Sequence, residues 1–198
     1  MPPVSADRIL QAATRLFGER GYPSTSMRDI GDAVGLLAGS LYSHISSKEA
    51  LLFKIVDTGL DRYLDAVAPI ATSDDPADVR LREAIRAHVR LVADNVEETL
   101  VALHQWKFLS DDNRHWVVAK RKAGADLFAR ILTEGIESGV FRPVAHPDIT
   151  VAGILGTLNW VPEWFSPQGP ATPDEIADDL ADLVLGGLTV PSRAPKRR

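Results

Sequence analysis

The sequence predicts an all-α protein: a small three-helix head followed by a larger helical body. Three observations carry this. Apolar residues recur at helical spacing through most of the chain, glycines and Ser-x-x-acid signals punctuate those runs, and no strand-like alternation of useful length appears.

In the head, Ile9, Ala12, Ala13, Leu16 and Phe17 share one face of a first helix, and Gly21 stands where a glycine cap would end it. Ser26 with Asp29 is a capping-box variant that opens a second helix, which reaches about Val34 and is broken by Gly35. A third short helix, about 38–45, turns Leu41 and Ile45 inward. Ser46 with Glu49 reads as the capping box of a long helix carrying Leu51, Leu52, Ile55, Val56 and Leu60 to about Ala68. A loop rich in Asp and Pro follows, from Pro69 to Pro76. Further helices are expected at about 78–94, 97–109, 113–138, 148–162 and 173–189. The domains implied are a head at 1–46, a body at 47–190, and a basic, Pro-rich tail at 191–198 that is expected to be mobile.

Composition narrows the function classes. Apolar residues make up 45% of the 198, enough for a real core. The absence of Cys excludes disulfides, thiolate metal sites and cysteine nucleophiles. No HExxH, GxSxG or Walker loop is present, so neither catalysis nor a metal or cofactor is expected. The uncharged run from Ile149 to Pro162 is shorter than the roughly 20 residues a bilayer span needs, and no basic-then-apolar leader opens the sequence. A cytoplasmic location without membrane contact is the expectation. The net charge of -5 looks wrong for a nucleic-acid binder, but residues 1 to 50 balance at zero and the deficit lies wholly beyond them.

The informative stretch runs from Ser26 to Lys48. Helix, glycine turn and second short helix have the layout of a helix-turn-helix, whose second helix enters the major groove of DNA. Ile30, Val34 and Leu41 pin the pair to the first helix, which leaves Gly39, Ser40, Tyr42, Ser43 and His44 on or near the outer side. Tyr42 and His44 can reach phosphates or base edges. Lys48 opposes the dipole of its own helix unless a phosphate sits at that terminus, and Thr25 and Ser26 offer hydroxyls and amides to a second one. The same layout also occurs as plain packing: Tyr42 equally suits a half-buried position, and Lys48 a solvated one.

Phe17, Gly21, Thr25, Arg28-Asp29-Ile30, Gly35, Gly39-Ser40-Leu41-Tyr42 and Lys48-Glu49-Ala50-Leu51, in that order, resemble the head of the TetR/AcrR family of bacterial regulators. The resemblance implies nine helices, a homodimer on duplex operator DNA, and a small-molecule effector held in the body. It implies phosphate contacts from Thr25, Tyr42 and Lys48 and base readout from positions 38 to 44. The candidate DNA contacts are therefore Thr25, Ser26, Arg28, Ala38, Gly39, Ser40, Tyr42, Ser43, His44 and Lys48. The chain departs from the family pattern at Leu37, where a polar cap is usual, at Ala38, which lacks a hydroxyl, and at Ile45, where Phe is usual. Leu37 and Ala38 are the features that favour a rival reading, a helical interaction module that no longer binds DNA.

In the body, the segment Val151 to Trp160 with Gly153 and Gly156, and the set Leu180, Leu183, Val184 and Leu188, suit a four-helix dimer interface or an internal face. Glu137 to Pro143 and Asn159 to Pro170 look like the branch of the family linked to fatty-acid and sterol catabolism, which implies a lipid or acyl-CoA effector. Glu163 stands where that branch commonly has a basic residue. Candidate effector residues are His88, His104, Trp106, Phe108, Arg121, Asn159 and Trp160, with Val92, Leu103, Trp116 and Phe128 beside them; each also suits ordinary core packing or a surface position. The implied function is a repressor released from a roughly palindromic operator by an apolar or acyl-CoA-like effector. The alternative is a drug- or xenobiotic-responsive efflux repressor of the same fold.

Overall fold

A computed structural model describes residues 5–189. The tail expected at 191–198 lies outside the described residues. The first helix, α1 (Ala6–Arg20), is capped by the Ser5 hydroxyl and ends at Gly21, whose φ of 80° suits glycine and whose N–H donates to Phe17 O. In α2 (Met27–Val34) both halves of the Ser26–Asp29 capping box are formed, and Gly35 closes the helix in the left-handed region. The third helix, α3 (Ala38–Leu41), is shorter than expected, with residues 42–44 continuing as a turn.

The long helix α4 (Lys48–Ala71) corrects three expectations. Its cap is Ser47, whose Oγ accepts from Ala50 N at 3.0 Å, and not Ser46. The Glu49 carboxylate, expected to fold back into a box, instead accepts from Ser110 N and Asn113 Nδ2, both at 2.9 Å. Those bonds hold its carboxyl below the usual range. The helix also runs past Pro69. Proline removes one donor but leaves the last turn intact, and the buried Val67 and Ala71 favour completing it.

The remaining elements fall close to their expected places. They are α5 (Ala77–Asp94), α6 (Val96–His104), a 3-10 turn (Trp106–Phe108), α7 (Asp111–Glu137), α8 (Pro147–Asn159) with one further turn at Val161–Trp164, and α9 (Pro173–Leu188). Counting that turn with α8, the described residues form the nine helices expected. One isolated antiparallel bridge joins Phe141 and Thr189.

The chain divides into two compact units, and the division does not follow chain order. The first unit takes residues 94–122 together with the head and the start of α4, up to residue 63. Its core combines Ile9, Leu16 and Phe17 from α1, Ile30 and Val34 from α2, Leu41 from α3, and Leu51, Leu52, Ile55 and Val56 from α4 with Val101, Leu109 and Val117. Ile45 is half-buried against it, as its family position implies. Burying each such aliphatic side chain stabilises by about 1.5–3 kcal/mol.

The second unit holds residues 64–93 and those from 123 onward. Here three arginines spaced four apart on α5 meet three aspartates spaced four apart on α9: Arg82–Asp182 at 2.6 Å, Arg86–Asp178 at 2.6 Å and Arg90–Asp174 at 2.7 Å. The opposite order of the two sets shows that these helices run antiparallel. Arg80, nearly buried, pairs with Glu134 at 2.6 Å and donates to Ala71 O at 3.0 Å, which caps the end of α4. Helix α8 buries Val151, Ile154 and Leu158 and leaves Gly153, Gly156 and Trp160 exposed. On α9, Leu183 is exposed while Leu188 is buried, so the set is divided between the outward and the internal face that its spacing left open.

Candidate nucleic-acid interface and effector residues

The head holds α3 by its inner side only. Leu41 is fully buried, whereas Gly39, Ser40, Tyr42, Ser43 and His44 are exposed, as the spacing predicts for an outward face. Gly39 faces open space, with no atom within 4 Å of where a Cβ would sit. The Ser43 hydroxyl turns back to Ser40 O at 2.7 Å, so it donates to its own helix. Ala38 begins the helix. Arg28 projects from α2, its Nε 3.9 Å from the Asp32 carboxylate and largely solvated. Ser26 is exposed, but its hydroxyl is engaged at 2.5 Å by the Asp29 carboxylate, and hydrogen bonds from Ser26 lower that carboxyl's pKa.

Two expected phosphate contacts are placed differently. The Thr25 side chain is buried, its hydroxyl donating to Leu16 O at 3.2 Å and Gly21 O at 3.0 Å. It fixes the entry to α2 instead of facing outward. The physical reason is that Gly21 O lies past the last turn of α1 without a helical partner, and the Thr25 hydroxyl four residues on is placed to donate to it and to the nearby Leu16 O. Lys48 is likewise drawn inward. Its Nζ donates to Tyr22 O at 2.9 Å and Thr25 O at 2.8 Å and sits 4.2 Å from the centre of the Tyr22 ring. Partial burial lowers its pKa.

Tyr22, absent from the expected set, organises this corner. Its ring meets Phe17 edge-on at 5.2 Å and stacks on Phe108 at 5.7 Å, and its N–H donates to Gln105 Oε1 at 3.1 Å. Phe108, expected in the effector pocket, therefore serves the head. Gly21-Tyr22-Pro23 was the available signal: an aromatic residue directly after a helix cap commonly packs back on that helix. Lys48→Met is expected to lower stability by about 1–2 kcal/mol, from lost charge-assisted hydrogen bonds, together with DNA affinity. Tyr42→Ala is expected to lower affinity alone. Urea midpoints measured beside binding isotherms separate the two, and equal midpoints would show that the Lys48 tie contributes nothing.

The candidate effector residues are dispersed. In the first unit, Trp106 is half-buried against the head's core, and the Arg121 guanidinium lies 4.9 Å from its ring centre. Arg121 donates from Nη2 to Ala102 O at 2.7 Å, its buried Nε has no hydrogen-bond partner, and among the described residues no carboxylate pairs with it. Desolvation lowers its pKa. Thr58 Oγ1, which the sequence reading missed, is also buried without a partner. His104 is exposed, and Trp116 is exposed with its indole N–H donating to Asp57 at 2.8 Å, so neither lines an interior. Leu103 is half-buried.

In the second unit His88, Val92 and Phe128 are buried. Asn159 and Trp160 are exposed, which corrects the expectation of an interior position. Helix α8 already turns 151, 154 and 158 inward, and the next two residues fall on its other side. Among the described residues, no group of three or more acidic or His side chains is placed to hold a metal ion.

Two family models match the chain. Residues 9–55 fit the bacterial regulatory proteins of the tetR family, and residues 74–188 fit the tetracyclin repressor-like C-terminal domain. The chain belongs to the TetR family. Members are DNA-binding regulators and not enzymes, and this TetR-family protein has the helix-turn-helix head and the dimerisation and ligand body of a ligand-responsive repressor. It is similar to the HTH-type transcriptional repressor KstR2 of Mycolicibacterium smegmatis, 30% identical over 191 residues, covering 95% of this chain and 92% of that one. The solved structure of the ketosteroid transcriptional regulator KstR2 of Mycobacterium tuberculosis superposes with a TM-score of 0.88 at 27% identity, covering 96% of this chain and 97% of that one. AibR in complex with isovaleryl coenzyme A and operator DNA gives a TM-score of 0.81 at 31% identity, covering 90% and 96%. Among the described residues no helix is long and apolar enough to cross a membrane.

Proposed function

We propose that this TetR-family repressor binds a roughly palindromic operator as a homodimer and is released by a small effector of acyl-CoA type. The head, residues 1–46, reads DNA, and the body, residues 47–190, holds the effector and the second copy. The observation that carries the DNA reading is the outward face of α3, presented by a head whose other face is packed. Tyr42, His44, Ser40 and Arg28 are the groups offered to DNA, with Thr25 and Lys48 holding the corner that aims them. An exposed face on α8 and α9, with Ile149, Gly153, Gly156, Trp160 and Leu183, supports pairing with a second copy, whose head would occupy the other half-site.

The effector class rests on Arg121. A guanidinium set over an aromatic ring, partly desolvated and without a carboxylate, favours an anionic or strongly accepting group on the ligand. A thioester with a phosphorylated carrier offers both, and the AibR complex holds such a compound. The path to the head is short within the first unit. Arg121 touches Trp106, Trp106 packs on the head's core, and the adjoining Gln105 and Phe108 hold Tyr22. The effector would act by preferring a head position that does not fit the operator.

Binding of the purified dimer to its own promoter fragment tests this, measured by fluorescence anisotropy with and without isovaleryl-CoA, longer acyl-CoAs and steroid-derived thioesters. One of them is expected to lower affinity by about five- to 150-fold. Arg121→Met should keep the affinity and lose the response. A variant that responds like the parent would remove Arg121 from the site, and a drug-like compound acting where every thioester fails would replace the effector class.

A further inference from the structure

Leu37 is 82% exposed, more than any other large apolar side chain among the described residues. The rest of that exposed set includes the α8 and α9 residues already assigned to dimer pairing; Leu37 stands apart from them, on the head. It occupies the N-cap of α3 and makes no side-chain cap bond. Its backbone is nonetheless firmly held. Leu37 O accepts from Ser40 N at 2.8 Å and Leu41 N at 3.3 Å, and the preceding Leu36 is half-buried against the head's core, its N–H on Gly31 O at 2.9 Å. A leucine is thus fixed at the leading end of the helix whose N-terminal residues meet base edges in this motif.

The surrounding chemistry says what it would meet there. Residues 37 to 44 contain no Arg, Lys, Asn, Gln, Asp or Glu, so none of the bidentate side chains that distinguish guanine or adenine is available. Ser43 is spent on its own helix, and Gly39 leaves open space beside the leucine's helix. In the major groove the one apolar feature a base pair presents is the C5-methyl group of thymine. We infer that Leu37 reads thymine, through contact between its side chain and that methyl group, and that the loss of a polar cap is a specificity choice of this chain. The inference rests on the DNA reading above and sharpens it to one residue and one base.

The test selects duplexes from a random-sequence library with the full-length protein, then replaces each thymine of the enriched site by deoxyuridine, which removes only the methyl group. Replacement at one symmetry-related thymine position is expected to weaken the parent by about fourfold per half-site, the value of one buried methyl, while Leu37→Ala binds the thymine and deoxyuridine duplexes equally. Leu37→Ala should melt with the parent, because the side chain supports nothing in the fold. An enriched site at which no replacement changes the parent's affinity overturns the thymine contact and leaves DNA binding intact. Equal losses in parent and variant assign the methyl to another residue and also overturn it. If no sequence is enriched at all, the DNA reading fails, and this inference with it. A change of oligomeric state in Leu37→Ala, with unchanged base preference, would assign the leucine to a second copy of the chain and overturn the contact with thymine.

Discussion

Lowering the pH from 6.5 to 4 is expected to remove about 3 kcal/mol of stability through one residue, His88. The side chain lies on α5, 6% exposed, and burial pushes its pKa from 6.5 down to about 4. The sign follows from where the proton is bound. Below 6.5 the unfolded chain takes up a proton that the folded chain refuses, so protons favour unfolding. The contribution is complete above 6.5 and is lost as the pH falls towards 4. The carboxylates with lowered pKa act in a different window. Hydrogen bonding to Arg90 keeps Asp174 ionised below its ordinary 3.8, so its contribution persists until the medium is more acidic still. Urea midpoints at pH 7, 6, 5 and 4 would read the slope, and His88→Leu is expected to flatten it. A parent whose midpoint stays constant down to pH 4.5 would mean that the imidazole is solvated.

Local signals were readable and distant ones were not. Ser26 with Asp29, Gly21 and Gly35 are caps whose partners lie within four residues, and they form as the sequence predicts. The Ser46–Glu49 box has the same local appearance, yet Glu49 is claimed by Ser110 and Asn113, more than sixty residues away. Spacing cannot reveal that competitor. The joining of residues 94–122 to the head is hidden for the same reason, and it moves Phe108 from the expected effector wall to the Tyr22 stack. Helix α8 shows a second kind of ambiguity. It is apolar nearly all round, so periodicity does not say which face is inward, and Asn159 and Trp160 come out on the wrong side of the expectation. Thr25 and Lys48 are expected at phosphates from their place in the pattern, yet both are engaged inside the head. The turn after α1 takes up their polar atoms within the head, which the sequence does not disclose.

The same limit produces the other large effect, at Gly135. By helix propensity alone, Gly135→Ala in the last turn of α7 should stabilise by up to about 1 kcal/mol. The structure reverses the sign. A Cβ at this position would overlap the ring of Phe141 and lie 2.9 Å from Ala77 Cβ. Phe141 has little room to yield. It is 1% exposed, its N–H donates to Gly135 O at 2.9 Å, and it bridges to Thr189, while the next residue donates from Arg142 N to Leu188 O at 2.8 Å. The absence of a side chain at 135 is what lets this segment join the end of α7 to the end of α9. Either the ring leaves its site or the helices separate, and a net loss of about 3 kcal/mol is expected. Since α9 also carries the exposed Leu183 proposed to meet a second copy, dimerisation and operator affinity should fall with stability although the head is untouched. Combining Gly135→Ala with Phe141→Val should recover part of the loss, because the smaller side chain relieves the overlap, and that coupling distinguishes crowding from a general defect. Thermal melts, light scattering and promoter binding on the three variants make the comparison. A Gly135→Ala protein that melts above the parent would mean that the aromatic ring is seated elsewhere, and the stitching of α9 to α7 would have to be redrawn.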